Sequence, residues 1–330
     1  MKWSDAMKAM IFTKVGKPED VLKLIDIEKP VPKDNQVLIK VKAVGLNLTE
    51  FERFKSVGKI PPPQVMMLNK NSLGHPLGGE SSGIVVEIGK NVKNFKIGDE
   101  VYGQPPEMFP TGAWAEYVAM DEWRTCVKPT NLSFEEAAII PSSCETALGA
   151  VRKAGIKRGQ EVMVYGASGG VGGYAAQLAK ALGAMVTGVC STRNVEVAKS
   201  IGCDCVIDYK NEDFTKTGKT YDAIIGVNGY NPMKVYKKLL KNDGIFVGIG
   251  GMKQAFSAMG ASIFSKKITT YVASKPIKDA LPYFKELAEA GKLKPHVDKV
   301  YDLQNVAEAI NYVITEHAQG KVALRVDFEK

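Results

Sequence analysis

Histidine is scarce in this chain: His75, His296 and His317 are the only three among 330 residues. His296 and His317 are isolated and read as structural or solvated. Cysteine is nearly as rare. The five are Cys126, Cys144, Cys190, Cys203 and Cys205, an odd number at irregular spacing, which argues against a disulfide framework. Cys203 and Cys205 flank Asp204 at the mouth of an apolar run, whereas a redox pair would want two intervening residues. No apolar stretch approaches the roughly 20 residues of a membrane-spanning helix, and MKWSDAMKAM lacks the apolar core of a signal peptide. The expectation is therefore a cytoplasmic protein with no membrane partner. Blocks of like charge are missing too. Lys and Arg number 44 against 36 Asp and Glu, a net +8, yet the basic residues are dispersed and cluster no further than pairs such as Lys237-Lys238 and Lys266-Lys267. A nucleic-acid binder concentrates its charge on one element, so none is expected. There is no internal repeat and no low-complexity tract.

What is present is ordinary globular composition, 45% hydrophobic and 24% charged, in a length suited to two domains. The first ~125 residues read as short strands and turns. Val37, Ile39, Val41 and Ala43 alternate with Lys40 and Lys42. Further strands are predicted at 83–88 and 114–120, with turns at 89–91 and 98–100, the pattern of a barrel or sandwich. From Glu161 the rhythm changes. Strands are expected at 161–165, 185–190, 205–208, 221–227, 245–249 and 268–273. Helices are expected to about 182 and at 195–201 and 232–241, which implies a doubly wound parallel sheet. Helices near 279–290 and 305–315 lead to a last strand at 322–326. Lys128-Pro129-Thr130 reads as the linker. Pro61-Pro62-Pro63 through Ser72 reads as a loop, with Met66 and Met67 as candidate pocket residues.

The strand at 161–165 runs into Gly166, Ala167, Ser168, Gly169, Gly170, Val171 and Gly172. Positions 167, 169 and 172 fit the dinucleotide fingerprint, with Ala167 in the first glycine slot. Gly169 would let backbone approach a pyrophosphate, and Gly172 would let the helix lie close to the strand. The motif follows a strand and opens a helix, as that reading requires. The second strand ends in Cys190-Ser191-Thr192-Arg193-Asn194. NAD enzymes place a carboxylate there for the ribose 2′-hydroxyl. Two hydroxyls and a guanidinium instead suit a 2′-phosphate, so NADPH is the expected cofactor. A solvated surface arginine is the alternative for Arg193.

Gly79-Glu80-Ser81-Ser82-Gly83-Ile84-Val85, VKNFKIGDEV at 92–101, Gly112-Ala113-Trp114-Ala115-Glu116-Tyr117, the loop at 165–172 and Gly320-Lys321-Val322 together resemble the medium-chain dehydrogenase/reductase superfamily, in its zinc-independent quinone oxidoreductase branch. The resemblance implies an α/β chain: a GroES-like β-barrel catalytic domain over 1–128, with a C-terminal return at 275–330, and a doubly wound parallel-sheet Rossmann domain over 129–274. It also implies a homodimer. Zinc-dependent relatives carry an early Cys where Asn47 stands and a Gly-His-Glu motif where Gly79-Glu80 stands, so no metal site is expected, and one His75 nearby does not make one. Without a Lewis acid, quinones and α,β-unsaturated carbonyls are the expected small-molecule substrates. A zinc-type alcohol dehydrogenase and a non-catalytic NADPH-binding redox sensor are the other readings.

By the same resemblance Asn47 is the candidate catalytic residue, orienting cofactor and substrate oxygen, although a turn residue after a strand would look the same. The sequence Asn47-Leu48-Thr49-Glu50 departs from the family's Asn-Pro-x-Asp. Tyr209 is expected to face the adenine. Asn228, Gly229, Gly250 and Gly251 are expected to bring backbone near ribose and nicotinamide, or to serve as turn residues alone.

Overall fold

Strands β1 (Ala6–Phe12) and β2 (Leu22–Glu28) pair antiparallel from Ala6↔Glu28 to Phe12↔Leu22. Neither is evident from the sequence alone, since Leu24 and Ile25 of β2 face solvent and blur the alternation. The structure, a computed structural model, describes residues 6–47, 50, 54, 73–106, 112–227, 231–250, 257–258, 260, 267–271, 276–316 and 318–328. Two compact units divide it: Met1–Ser142, Leu281–Glu289 and Pro295–Lys330 form one, Ser143–Ala280 and Ala290–Lys294 the other.

In the first unit the alternating run forms β3 (Gln36–Gly45), with Val37, Ile39, Val41 and Ala43 buried as the pattern requires. Its neighbours are β5 (Ser81–Ile88) on one side and β16 (Lys321–Arg325) on the other, both antiparallel. The sheet continues from β5 to β6 (Glu100–Gly103) and β8 (Thr125–Val127), and from β16 to β15 (Val297–Asp302), while β7 (Tyr117–Asp121) also pairs with β3. The strand expected at 114–120 thus starts three residues late. Trp114 lies before it, fully buried, with its backbone N–H donating to Leu77 O at 2.8 Å. β4 (His75–Pro76) completes a small sheet with β1. The core gathers Val85, Val101, Val118, Met120, Val322 and Leu324 against Val306 and Ile310 of the helix Val306–Glu316. Lys128, within the segment read as a linker, is buried and donates to Leu132 O at 2.6 Å.

The second unit holds the predicted parallel sheet. Its strands are β9 (Glu161–Tyr165), β10 (Met185–Cys190), β11 (Cys205–Asp208), β12 (Tyr221–Val227), β13 (Leu240–Ile249) and β14 (Ile268–Tyr271). They lie in the order β11-β10-β9-β12-β13-β14, every pair parallel. Numbered within the unit this is 3-2-1-4-5-6, the doubly wound dinucleotide arrangement, whose order reverses between β9 and β12. The helix expected over 232–241 ends earlier, at Leu239, because Leu240 already pairs with Tyr221 as the first residue of β13.

Two aspartates pin the amino ends of these strands. Asp204, between the two cysteines, accepts Val186 N–H at 2.7 Å and the Lys180 ammonium at 2.7 and 2.9 Å, tying the start of β11 to β10. Asp222 likewise accepts Glu161 N–H at 2.8 Å and Lys241 at 2.7 Å, tying β12 to β9 and β13. Among the described residues no helix is long and apolar enough to cross a membrane.

Candidate active site

The sheet order places its reversal where the glycine-rich loop leaves β9. Gly166 takes φ +83°, a left-handed turn that favours glycine, and a Cβ there would meet Val227 O at 2.7 Å. Its N–H donates to Val189 O at 2.8 Å, anchoring the turn to β10. Ala167 is fully buried. Its methyl is tolerated in the first glycine slot because the facing residue is Gly188, where an added Cβ would come within 3.0 Å of it. Ser168 follows, and Gly169 caps the helix Gly170–Ala181 without any side-chain hydrogen bond. Val171 lies in the first turn. Gly172 packs so tightly that a Cβ would stand 2.0 Å from Gly166 O, while one on Gly169 would meet nothing nearer than 3.6 Å. The helix therefore sits hard against the turn yet leaves its first N–H groups uncapped by side chains, which suits an incoming phosphate.

The other strand ends lie on the same, carboxyl edge of the sheet. After β10, Ser191 is half-buried and accepts from Asn194 Nδ2 at 3.2 Å, while Thr192 and Arg193 are exposed. After β11, Tyr209 donates its backbone N–H to Cys190 O at 3.0 Å and lies 40% exposed, its ring stacked on Tyr165 with centroids 6.0 Å apart. After β13, Gly250 has φ +68° and so meets a backbone demand. Asn228, Gly229 and Gly251, and Met66, Met67 and the 61–72 segment, lie outside the described residues. Sequence reading along one strand missed Asp208, which the parallel register sets level with Cys190. Burial raises its carboxyl, but bonds from the Thr192 hydroxyl, Lys210 N–H and the Asn211 amide outweigh it and leave the carboxyl below its ordinary value. Burial, with Asp208 adding to it, pushes the Cys190 thiol up to about 11, and burial pushes Cys203 up to about 12, so both stay protonated near neutrality.

Asn47 belongs to the first unit, just past β3. It is buried, and two charged side chains bond to it, Glu50 from three residues on and Lys321 from the far end of the chain. Glu50 reaches back to accept Asn47 N–H at 2.8 Å and also accepts Gly79 N–H at 3.1 Å. Lys321, at the start of β16, sends its ammonium to Asn47 Oδ1, to Leu46 O at 3.1 Å and to Glu80 Oε1 at 2.8 Å. Glu80, fully buried, uses its other oxygen to accept Ser142 N–H at 2.8 Å. Its carboxylate lies over Gly45, where a Cβ would stand 2.1 Å from Oε1. None of the bonds named uses Asn47 Nδ2. Glu80 and Lys321 stand in the separate segments 79–85 and 320–322, and no local spacing announces that they meet 241 positions apart.

Residues 33–131 match the family described as alcohol dehydrogenase GroES-like domain, and residues 201–324 the one described as zinc-binding dehydrogenase. The chain is 35% identical, over 334 aligned positions, to 2-methylene-furan-3-one reductase of Solanum lycopersicum, covering 96% of this chain and 79% of that one. It is 33% identical, with the same coverage, to the chloroplastic NADPH-dependent alkenal/one oxidoreductase of Arabidopsis thaliana. A solved quinone oxidoreductase from Coxiella burnetii superposes with a TM-score of 0.84 at 32% identity, over 98% of this chain and 100% of that one. The glycine loop at the sheet's reversal and these whole-length similarities together show that the chain belongs to the medium-chain dehydrogenase/reductase superfamily, in its quinone oxidoreductase branch, and is a nicotinamide-dependent oxidoreductase.

Proposed function

We propose that this protein is an NADPH-dependent reductase of quinones or α,β-unsaturated carbonyls that works without a metal. The observation that carries the reading is a complete dinucleotide loop in a chain whose Asn47 and Glu80 are already held by an ammonium. The loop 166–172 and the first turn of its helix would hold the pyrophosphate, Ser191 and Arg193 the 2′-phosphate, and Tyr209 the adenine face. The Arabidopsis relative is itself named NADPH-dependent. Thr192 is a weaker candidate for the phosphate, since its hydroxyl already bonds Asp208. When bound, the nicotinamide supplies the hydride.

A zinc does not fit the residues that stand in its place. Asn47 Oδ1 and Glu80 Oε1 both accept from Lys321 Nζ, so a divalent cation on those oxygens would be pressed against an ammonium. Among the described residues no group of three or more His, Cys, Asp or Glu is placed to hold a metal ion. What remains for the protein is to bind, to orient and to offer a hydrogen bond to the substrate oxygen as negative charge grows there, and a conjugated acceptor asks for little more. Asn47 is the residue we assign to that bond. The relatives' printed substrates, a methylene-furanone and alkenals or alkenones, are conjugated carbonyls. The test is an NADPH-oxidation screen over benzoquinone, methyl vinyl ketone and saturated aldehydes, run beside an NADP⁺-reduction assay on saturated alcohols, with elemental analysis of the same sample. Turnover is expected with the first two. Zinc bound one per chain, with rapid turnover confined to saturated alcohols, would overturn the reading.

A further inference from the structure

An amide side chain is two-faced: its oxygen accepts and its NH₂ donates, and nothing intrinsic decides which end a buried asparagine presents. At Asn47 the decision is made by Lys321. An ammonium has three donors and no acceptor, so only the oxygen of the amide can face it. The bond from Lys321 Nζ to Asn47 Oδ1 therefore leaves Nδ2, the donor end, turned away from the cation.

The rest of the network fixes that ammonium. Leu46 O and Glu80 Oε1 take two of its protons beside the one given to Asn47. Glu80 is held in turn by Ser142 N–H and by the absence of a side chain at Gly45. The Asn47 backbone is fixed independently through Glu50. Both ends of the residue are thus set by different charged groups, with side-chain exposures of 8% for Lys321 and 0% for Glu80 in their ion pair. Replacing such a pair by neutral residues often costs little stability, so stability alone does not account for it. A cation on the amide oxygen also draws electron density from the N–H bonds and strengthens them as donors.

We propose that Lys321 is a positioning residue: its ammonium commits the Asn47 amide to presenting N–H, rather than C=O, to the substrate oxygen. This rests on the role given to Asn47 above. The experiment is a kinetic cycle with NADPH and methyl vinyl ketone. Lys321→Met is combined with Glu80→Gln, so that no buried charge is stranded and glutamine can still accept Ser142 N–H, and the pair is made with Asn47 intact and with Asn47→Ala. With Asn47 intact, kcat should fall by about ten- to a hundredfold, as for a misplaced catalytic contact, while the Kd for NADPH holds. On Asn47→Ala the same pair should cost no more than about threefold further. Lys321→Arg, which keeps a cationic donor, should recover most of kcat. Equal losses in both backgrounds would overturn the proposal and leave the role of Asn47 standing, whereas full turnover by Asn47→Ala alone would overturn both. Should the neutral pair not fold, Asn47→Asp decides: it keeps an acceptor for Lys321 but has no N–H, so it should be as slow as Asn47→Ala. Undiminished turnover by Asn47→Asp would sink the donor assignment.

Discussion

Arg193 stands exposed just past the end of β10, directly after a threonine that answers to Asp208 and two residues after a half-buried Ser191. Of the groups on that strand end it alone carries a positive charge. If it holds a 2′-phosphate, Arg193→Ala should weaken NADPH by about 1.5–3 kcal/mol, the worth of a hydrogen bond to a charged group, and leave NADH almost unchanged. Titration of both cofactors by fluorescence reads the difference, and equal losses would remove Arg193 from the site. The arginine and the missing acid on β10 were legible in the sequence because they lie on one short segment after a recognisable motif. Asp208 was not. Its approach to Thr192 depends on the register Cys190↔Asp208 between two strands, which no linear spacing encodes. The same holds more strongly for Lys321, whose contact with Asn47 spans 274 positions.

The parallel strands of the second unit carry different chemistry at their two ends. Their carboxyl ends bear glycines, hydroxyls and an arginine, whereas their amino ends are pinned by Asp204–Lys180 and Asp222–Lys241. At Asp204 burial raises the carboxyl, but Lys180 and the Val186 N–H outweigh it, so its pKa in the fold lies below the ordinary 3.8. A carboxyl depressed by folding stabilises fully above its unfolded pKa, and that contribution fades as pH falls below about 3.8 and through the folded value. Asp204→Asn should therefore lower stability at pH 7 by about 0.5–1 kcal/mol, modest because the pair is partly exposed and screened. The deficit relative to wild type should shrink as the pH drops to 3 and below. Urea midpoints at the two pH values check this, and a deficit that is constant with pH would show the carboxylate's charge to be idle. Elements were readable where periodicity was clean. β3 and the strands from β9 to β12 fall within a residue or two of expectation, as does the helix that opens at Gly170. β2 was missed because its apolar residues Leu24 and Ile25 face solvent, and the helix before β13 was read too long because Leu240 continues its apolar pattern while already in a strand.

At the scale of the whole chain, the switch from short strands to strand–helix alternation near Glu161 was the legible signal for fold class. The sheet order that confirmed it is a product of pairing and could not be read from order in sequence. The same pairing sets β16, the last strand among the described residues, beside β3, one of the earliest. Its consequence concerns the order of synthesis. The second unit is complete once residue 294 has been made, whereas the first still lacks residues 295–330. Domains fold as units while the chain emerges, so on the ribosome the dinucleotide loop should be built before Asn47 acquires the lysine that orients it. Nascent chains halted at the length where residue 294 has just cleared the ribosomal exit tunnel should already protect the 143–294 region from protease while fragments from 6–142 remain sensitive. Simultaneous protection of both regions at that length would refute the sequence of events.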